Sequence, residues 1–316
     1  MRTSNRTGLT VALPVSLLLA ASLTLLGACS SLPSKNQPVN ERKNEAAGYI
    51  QLADDFLAKN QYASALQFYD QALRTNLAVD YVEGAITARS SLGRVYLRLQ
   101  AWDEALRELN DALHDARILD DDALLALCLN NLGEYYYISG DDSQAVSYFQ
   151  SAAILADSGK DEKLLAVINH NLGVAAVRAK DLEAARSFFE AARSANEKAK
   201  RWSEYAANCY MLASIENQNG NTALALEWAG KALEADKNAE NSIGIAADLE
   251  ALARLQRKAG NNEAAFDYFR RALNISLQLN DQELARRSLD ALIELATTLE
   301  LPDYQERYTE LRSRLD

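Results

Sequence analysis

Apolar residues along this chain recur on a fixed beat. Leucine stands at 52, 92, 132, 172, 212, 252 and 292. Alanine keeps the same step at 65, 105, 145, 185, 225 and 265, and again at 72, 112, 152, 192, 232 and 272. The step is 40 residues, and no low-complexity bias accounts for that phase. Within one period the apolar positions are Leu129, Leu132, Tyr136 and Tyr137 and then, past a break, Val146, Phe149 and Ala153. Spacings of three and four place such residues on one stripe of a helix, so each period predicts two amphipathic helices. The break between them carries Gly140, Gly220 and Gly260, with Asn60, Gln100 and Lys180 at the same place in other periods. Glycine there takes the left-handed conformation that ends a helix, which predicts a tight turn between antiparallel neighbours.

The stretch NNLGEYYYISGDDSQAVSYFQSA, residues 130–152, resembles the tetratricopeptide repeat, with its Leu-Gly pair, aromatic, turn glycine, alanine, aromatic and second alanine in order. The resemblance covers residues 46–275 and implies an all-α fold: a right-handed α-solenoid of about six antiparallel helix pairs, closed by a C-terminal capping helix pair. The expected units are 46–85, 86–125, 126–165, 166–205, 206–245 and 246–280, with the cap at 281–316 starting its last helix near Pro302. Gly93, Gly133 and Gly173 and the alanine columns fall where helices approach tightly, and a larger side chain would overpack them at a cost of about 1–3 kcal/mol. Two departures stand out. The period exceeds the usual 34 residues, as in a 40-residue subclass. The fifth and sixth units place Glu216, Asn217, Gln256 and Arg257 where earlier ones have aromatics, so those helices end early or line something polar.

In this family the first helix of each unit lines a concave groove, and the resemblance assigns partner contact to particular columns. Asn131 and Asn171 share one column, where related repeats use asparagines to hold a peptide backbone; a carboxamide both donates and accepts. Asn130, His170 and Tyr210 stand in the adjacent column. Arg94, Arg98, Arg178 and Arg254, with Lys258, face the groove against Asp54 and Glu134, which suggests a basic groove and an acidic or carboxylate-bearing partner. The alternative is that these long side chains cover neighbouring helices and meet nearby acids as exposed pairs.

The N-terminus sets the expected address. Arg2 and Arg6 precede an uncharged apolar run from Leu9 to Leu26, the pattern of a secretory signal over residues 1–28. The run ends in LGAC, which resembles the lipobox of bacterial lipoproteins and implies acylation of Cys29. By the same resemblance, Ser30 after that cysteine implies transfer to the outer membrane. Residues 29–45, with two of the four prolines and almost no apolar side chains, read as a flexible tether.

Charge and chemistry narrow the function classes. The chain has 33 basic and 44 acidic residues, a net charge of -11, which argues against nucleic acid because phosphate contacts need clustered bases. His114 and His170 stand in different units, and no Cys or carboxylate group has metal-ligand spacing, so neither a hydrolytic triad nor a zinc site is indicated. Carboxylates such as Asp141 and Asp142 cluster at helix starts, where they cap free amides. Cys128 and Cys209 fall two units apart and are expected to be free thiols. The expected protein is a non-enzymatic, lipid-anchored envelope scaffold, without a cofactor, that binds a protein or peptide segment in its groove. An accessory of a solute transport system, pairing with a periplasmic binding protein or enclosing a small apolar ligand, is the alternative.

Overall fold

A computed structural model describes residues 37–315. The expected signal sequence, residues 1–28, and Cys29 lie outside the described residues. Among the described residues fourteen helices follow one another with no strand: α1 (Gln37–Ala58), α2 (Tyr62–Leu77), α3 (Val82–Arg98), α4 (Trp102–Leu119), α5 (Asp122–Ser139), α6 (Asp142–Ser158), α7 (Glu162–Arg178), α8 (Leu182–Lys198), α9 (Trp202–Gln218), α10 (Thr222–Asn238), α11 (Ser242–Lys258), α12 (Asn262–Leu279), α13 (Gln282–Thr298) and α14 (Pro302–Ser313). Twelve of them pack most tightly as six consecutive antiparallel pairs, α1 with α2 through α11 with α12, and α13 with α14 close the stack. None of them is long and apolar enough to cross a membrane.

Turn chemistry is what sets this regularity. A residue with positive φ stands at 60, 80, 100 and every twentieth position through 300. Three of these are glycines, Gly140, Gly220 and Gly260; the other ten carry side chains. The next residue often starts the following helix with a cap. Asp121, Asp141, Asp161, Asp181, Asn241 and Asp281 each accept a backbone N–H of the first turn. Such caps satisfy amides that the helix itself leaves unpaired. The helix pairs end at Asp80, Asp120, Lys160, Lys200, Glu240 and Asn280, five residues before the unit ends expected at 85, 125, 165, 205 and 245 and at the one expected at 280.

The tether also corrects. The backbone is helical from Gln37, so residues 37–45 belong to α1. Glu41, Arg42, Lys43 and Glu45 are good helix formers. Pro38 sits in the first turn, where a missing N–H breaks no helix bond. Ala46 is buried, and Lys43 Nζ lies 3.7 Å from the centre of the Tyr81 ring, which ties this end to α3.

The core runs between the paired helices as columns. Gly93, Gly133 and Gly173 let the second helix of their pair come close: a Cβ on Gly133 would stand 2.5 Å from the Phe149 ring, and one on Gly173 2.7 Å from Phe189. The residues packed beneath are Tyr69, Leu109, Phe149, Phe189 and Phe269, all buried, but the fifth pair has Ala229 at that place. Cys128 and Cys209 are buried free thiols whose burial pushes them up, to about 12 and about 11. At the C-terminal end α14 buries Tyr308 against the α12–α13 cluster.

Candidate interaction surface on the first helices

First helices of neighbouring pairs also touch, α1 with α3, α3 with α5, α5 with α7 and α9 with α11, whereas no two second helices make more than a grazing contact. Closer approach on one side curves the stack and makes the first-helix face the concave one. The side chains on that face fall into two regions of different character.

In the middle of the molecule hydrogen bonds join the first helices and leave a cleft of about 170 Å³, lined by Arg98, Glu134, Tyr137, Phe149 and Asn171 among others. Asn131 Nδ2 donates to Ser90 Oγ on α3 at 2.8 Å, and Asn130 Nδ2 donates to Asn131 Oδ1 at 3.3 Å. Asn171 Nδ2 on α7 donates to Asn130 Oδ1 at 2.9 Å. Asn130 and Asn131 are each only 3% exposed. Asn131, expected as a peptide rung, and Asn130, expected in the column beside it, here hydrogen-bond to one another and to Ser90 and Asn171 across α3, α5 and α7, as buried polar groups must. Asn171 is half-buried and joined to the same chain of bonds.

His170 turns out to be a packing residue as well. Its ring meets Phe189 edge-on at 5.4 Å, and its Nδ1 lies 2.9 Å from Asn208 Oδ1 on α9. Asn208 Nδ2 in turn donates to the Glu204 carbonyl. Burial holds the imidazole below its ordinary pKa, against the opposing pull of the Asn208 bond. A neutral ring donating through Nδ1 fits that arrangement.

The expected basic groove is largely neutralised. Arg94 and Arg98 both reach Glu134, at 3.4 and 2.6 Å. Arg178 pairs with Asp142 at 2.7 Å, donates to the Tyr137 carbonyl and lies over the Tyr137 ring. Arg254 pairs with Glu250 at 2.6 Å. Charge repeating along facing helices meets opposite charge one pair away, and the many acids of this chain supply the partners. The helices carrying Glu216 and Arg257 do not end early, since α9 runs to Gln218 and α11 to Lys258. Glu216 is buried and paired with Arg186 of α8.

Beyond α9 the face opens. A cleft of about 200 Å³ lies between α9 and α11, lined by Tyr210, Ala213, Ser214, Ala251, Leu255 and Lys258 among others. It sits beside the small pair Ala213 and Ala229, where neighbouring pairs have a large residue. Tyr210 is 39% exposed. A second cleft of about 510 Å³ lies between α11 and α13, which do not approach as closely as α9 and α11, with Phe269 of α12 on its floor. Salt bridges span it: Arg287 reaches Glu250 through Nε and Nη2 at 3.1 and 3.2 Å, and Arg257 reaches Glu294 at 2.9 Å. Arg254 and Lys258 line both clefts, which lie side by side along α11.

Of the expected site residues, then, the structure joins Asn130, Asn131 and Asn171 in one bonded chain and places Tyr210 and Arg254 on the open clefts. Arg94, Arg98, Arg178 and His170 lie along the middle of the face. Ser90 and Glu250 belong to the column through Ser90, Asn130, His170, Tyr210 and Glu250, which is polar in every pair after the first although it sits next to core leucines, whereas Asn208 stands in a column with Ala88, Cys128 and Ile168 that carries no such signal. Among the described residues no three His, Cys, Asp or Glu side chains are grouped to hold a metal ion.

Comparison with known proteins agrees with this architecture. The family model described as tetratricopeptide repeat matches residues 84–158 and 203–278. No curated protein sequence matches the chain. Among solved structures the chain is similar to the Rap conjugation gene regulator of plasmid pLS20 in complex with the Phr* peptide, at 16% identity and a TM-score of 0.64, over 90% of this chain and 78% of that one. It is similar to BtubC from P. vanneervenii at 19% identity and a TM-score of 0.59, over 71% and 92%. It is similar to pilF of Pseudomonas aeruginosa at 17% identity and a TM-score of 0.51, over 78% and 97%. Identities this low speak for the fold. The chain is thus an α-solenoid of antiparallel helix pairs, with tetratricopeptide repeat sequence in two of its stretches.

Proposed function

We propose that this protein is a non-enzymatic scaffold of the bacterial envelope, lipid-anchored through Cys29, that holds an extended segment of a protein partner on its concave face. The observation that carries the reading is the pair of adjoining clefts between α9 and α13, of about 200 and 510 Å³, both larger than the cleft of about 170 Å³ in the middle of the same face. Concave repeat surfaces bind extended partners, and a similar structure was solved with a peptide bound. The working surface is therefore the C-terminal half of the groove, not the asparagine chain at its centre. The alternative, an accessory that encloses a small apolar ligand, gains nothing from these clefts, since both are lined by charged side chains.

A photoreactive phenylalanine analogue placed at Tyr210 tests the assignment in cells. It is expected to cross-link an envelope protein, while the same group at Ile154, 70% exposed on the second helix α6, is not. Cross-links from position 154 and none from 210 would move the binding surface off the concave face.

A further inference from the structure

The turns that join one helix pair to the next are built alike, with one exception. Positions 157–162 read DSGKDE, 197–202 EKAKRW, 237–242 KNAENS and 277–282 LQLNDQ, each with at most two apolar residues. Positions 117–122, RILDDD, have two and end in three aspartates. The first of these turns, 77–82, reads LAVDYV, so five of its six residues are apolar or aromatic. Leu77 is 55% exposed and Val82 36%; Ala78 is exposed as well, and Val79 and Tyr81 are half-buried between them. The same turn gives up a cap. Asp121, Asp161, Asn241 and Asp281 stand at the place of Tyr81 in four of the five later turns and accept a backbone N–H of the next helix, whereas Tyr81 makes no such bond. Grouped apolar side chains in water and an uncapped helix both cost stability, and together they mark a surface that meets something other than water.

The place of this turn in the fold says what it meets. It lies at the edge of the stack from which α1 starts: Lys43, in the second turn of α1, holds its Nζ 3.7 Å from the centre of the Tyr81 ring. From Gln37 to Lys43 is roughly 9 Å of helix, and residues 30–36 ahead of it reach roughly 25 Å at most. A lipid on Cys29 therefore has Leu77 and Val82 within its reach, while the later turns of the same edge stand farther down the stack. The side chains suit the boundary of a bilayer. Leu77, Val79 and Val82 offer aliphatic surface, Tyr81 an aromatic ring with a polar end, and Lys43 a cation on a long apolar stem for a lipid phosphate. Asp80 and Glu83 beside them keep the contact shallow, because carboxylates stay at headgroup level. One pair along, Asp120, Asp121 and Asp122 end the apolar edge.

We infer that the turn 77–82 is a second membrane contact, which rests on the bilayer surface and holds the first two helix pairs against it. The inference rests on the lipid anchor at Cys29 proposed above: the lipid brings the chain to the membrane, and the turn fixes how it sits there.

The test uses the acylated full chain reconstituted in vesicles of phosphatidylethanolamine and phosphatidylglycerol. An environment-sensitive fluorophore is attached at Leu77→Cys, at Val82→Cys or, on the same edge four turns farther along, at Ile243→Cys, where the native side chain is 47% exposed. Cys128 and Cys209 are buried and stay unlabelled in the folded chain. Labels at 77 and 82 are expected to shift to the blue and to lose most of their emission when the vesicles carry a lipid with a nitroxide near its headgroup. The label at 243 should do neither. A chain that stays with the vesicles while its label at 77 is unshifted and unquenched, or is quenched no more than the label at 243, would overturn the contact and leave the anchor standing. A label at 77 that is shifted to the blue yet untouched by the nitroxide would give the turn to a second copy of the chain and overturn the contact as well. A chain that does not stay with the vesicles would overturn both the anchor and the contact.

Discussion

At the scale of single residues, side-chain size and hydrogen bonding decide what each column does. Gly133 has a Phe149 ring where a methyl group would go, while Gly230, inside α10, has open space around it. Gly133→Ala should therefore destabilise the protein by about 1–3 kcal/mol through overpacking. Gly230→Ala should stabilise it by about 0.5–1 kcal/mol, because alanine favours the helix and nothing opposes it. Thermal unfolding of the two variants, followed by circular dichroism, separates these signs. The close approach at Gly133 was legible in the sequence, because a small residue recurs there at a fixed step. The fate of Asn130 and Asn131 was not. A column position says that a side chain is near the groove, but whether it meets solvent or a neighbour depends on what the adjacent pairs present. Here Ser90 and Asn171 come within 3 Å of them.

At the scale of helices, the junction between the fifth and sixth pairs carries an unusual load. Asp236 of α10 and Asp248 of α11 are both buried and lie close to each other. Burial raises both carboxyls above the ordinary range, and for Asp248 the nearby charge of Asp236 adds to it, bringing it to about 8. Asn241 donates to Asp236 from the turn between the helices, which partly offsets the burial. One shared proton suits such a pair, and losing it leaves two charges facing each other out of water. The sign follows directly. Because the folded protein holds the proton more tightly than the unfolded chain, the contribution is present at pH values below the ordinary Asp range and is lost as pH rises toward about 8. Asp248→Asn supplies a permanent donor to Asp236 and removes that dependence. The variant is expected to unfold at a higher temperature than the parent at pH 8, and the gap should narrow toward pH 5. A gap independent of pH would mean that the pair does not share a proton. Nothing periodic announced this junction, since each Asp stands alone in a column that elsewhere holds Asn76, Asn196 and Ser276, or Ala88, Cys128 and Asn208.

For the whole molecule, the early start of α1 changes the proposed attachment to the membrane. Only residues 30–36 separate Cys29 from the helix, a reach of roughly 25 Å at full extension. With a lipid on Cys29 the first helix pair would stay close to the bilayer surface, and the clefts between α9 and α13 would lie toward the far end of the stack. Cys29→Ser is expected to abolish incorporation of labelled palmitate and to release the protein from membranes; labelling that persists would remove the lipid from the proposal. The helix pairs and their order could be read from periodicity because each pair repeats one solution to the same packing problem. The clefts could not, because the size of the gap between first helices depends on how closely they approach, and α11 and α13 stand farther apart than α9 and α11.

The left-handed residue at every twentieth position has a further consequence, for how such a chain can gain or lose length. Lys160 and Lys200 have the same backbone conformation, with φ of 56° and 55°, and each is followed by the start of a first helix. Excising residues 161–200 would join equivalent points, so the helices on either side would resume in phase and the molecule would shorten by one unit. A cut that is not a whole multiple of 40 residues would leave a helix facing the wrong way. Length in this protein is therefore quantised, and distance along the groove can be altered in whole units without redesigning a single turn.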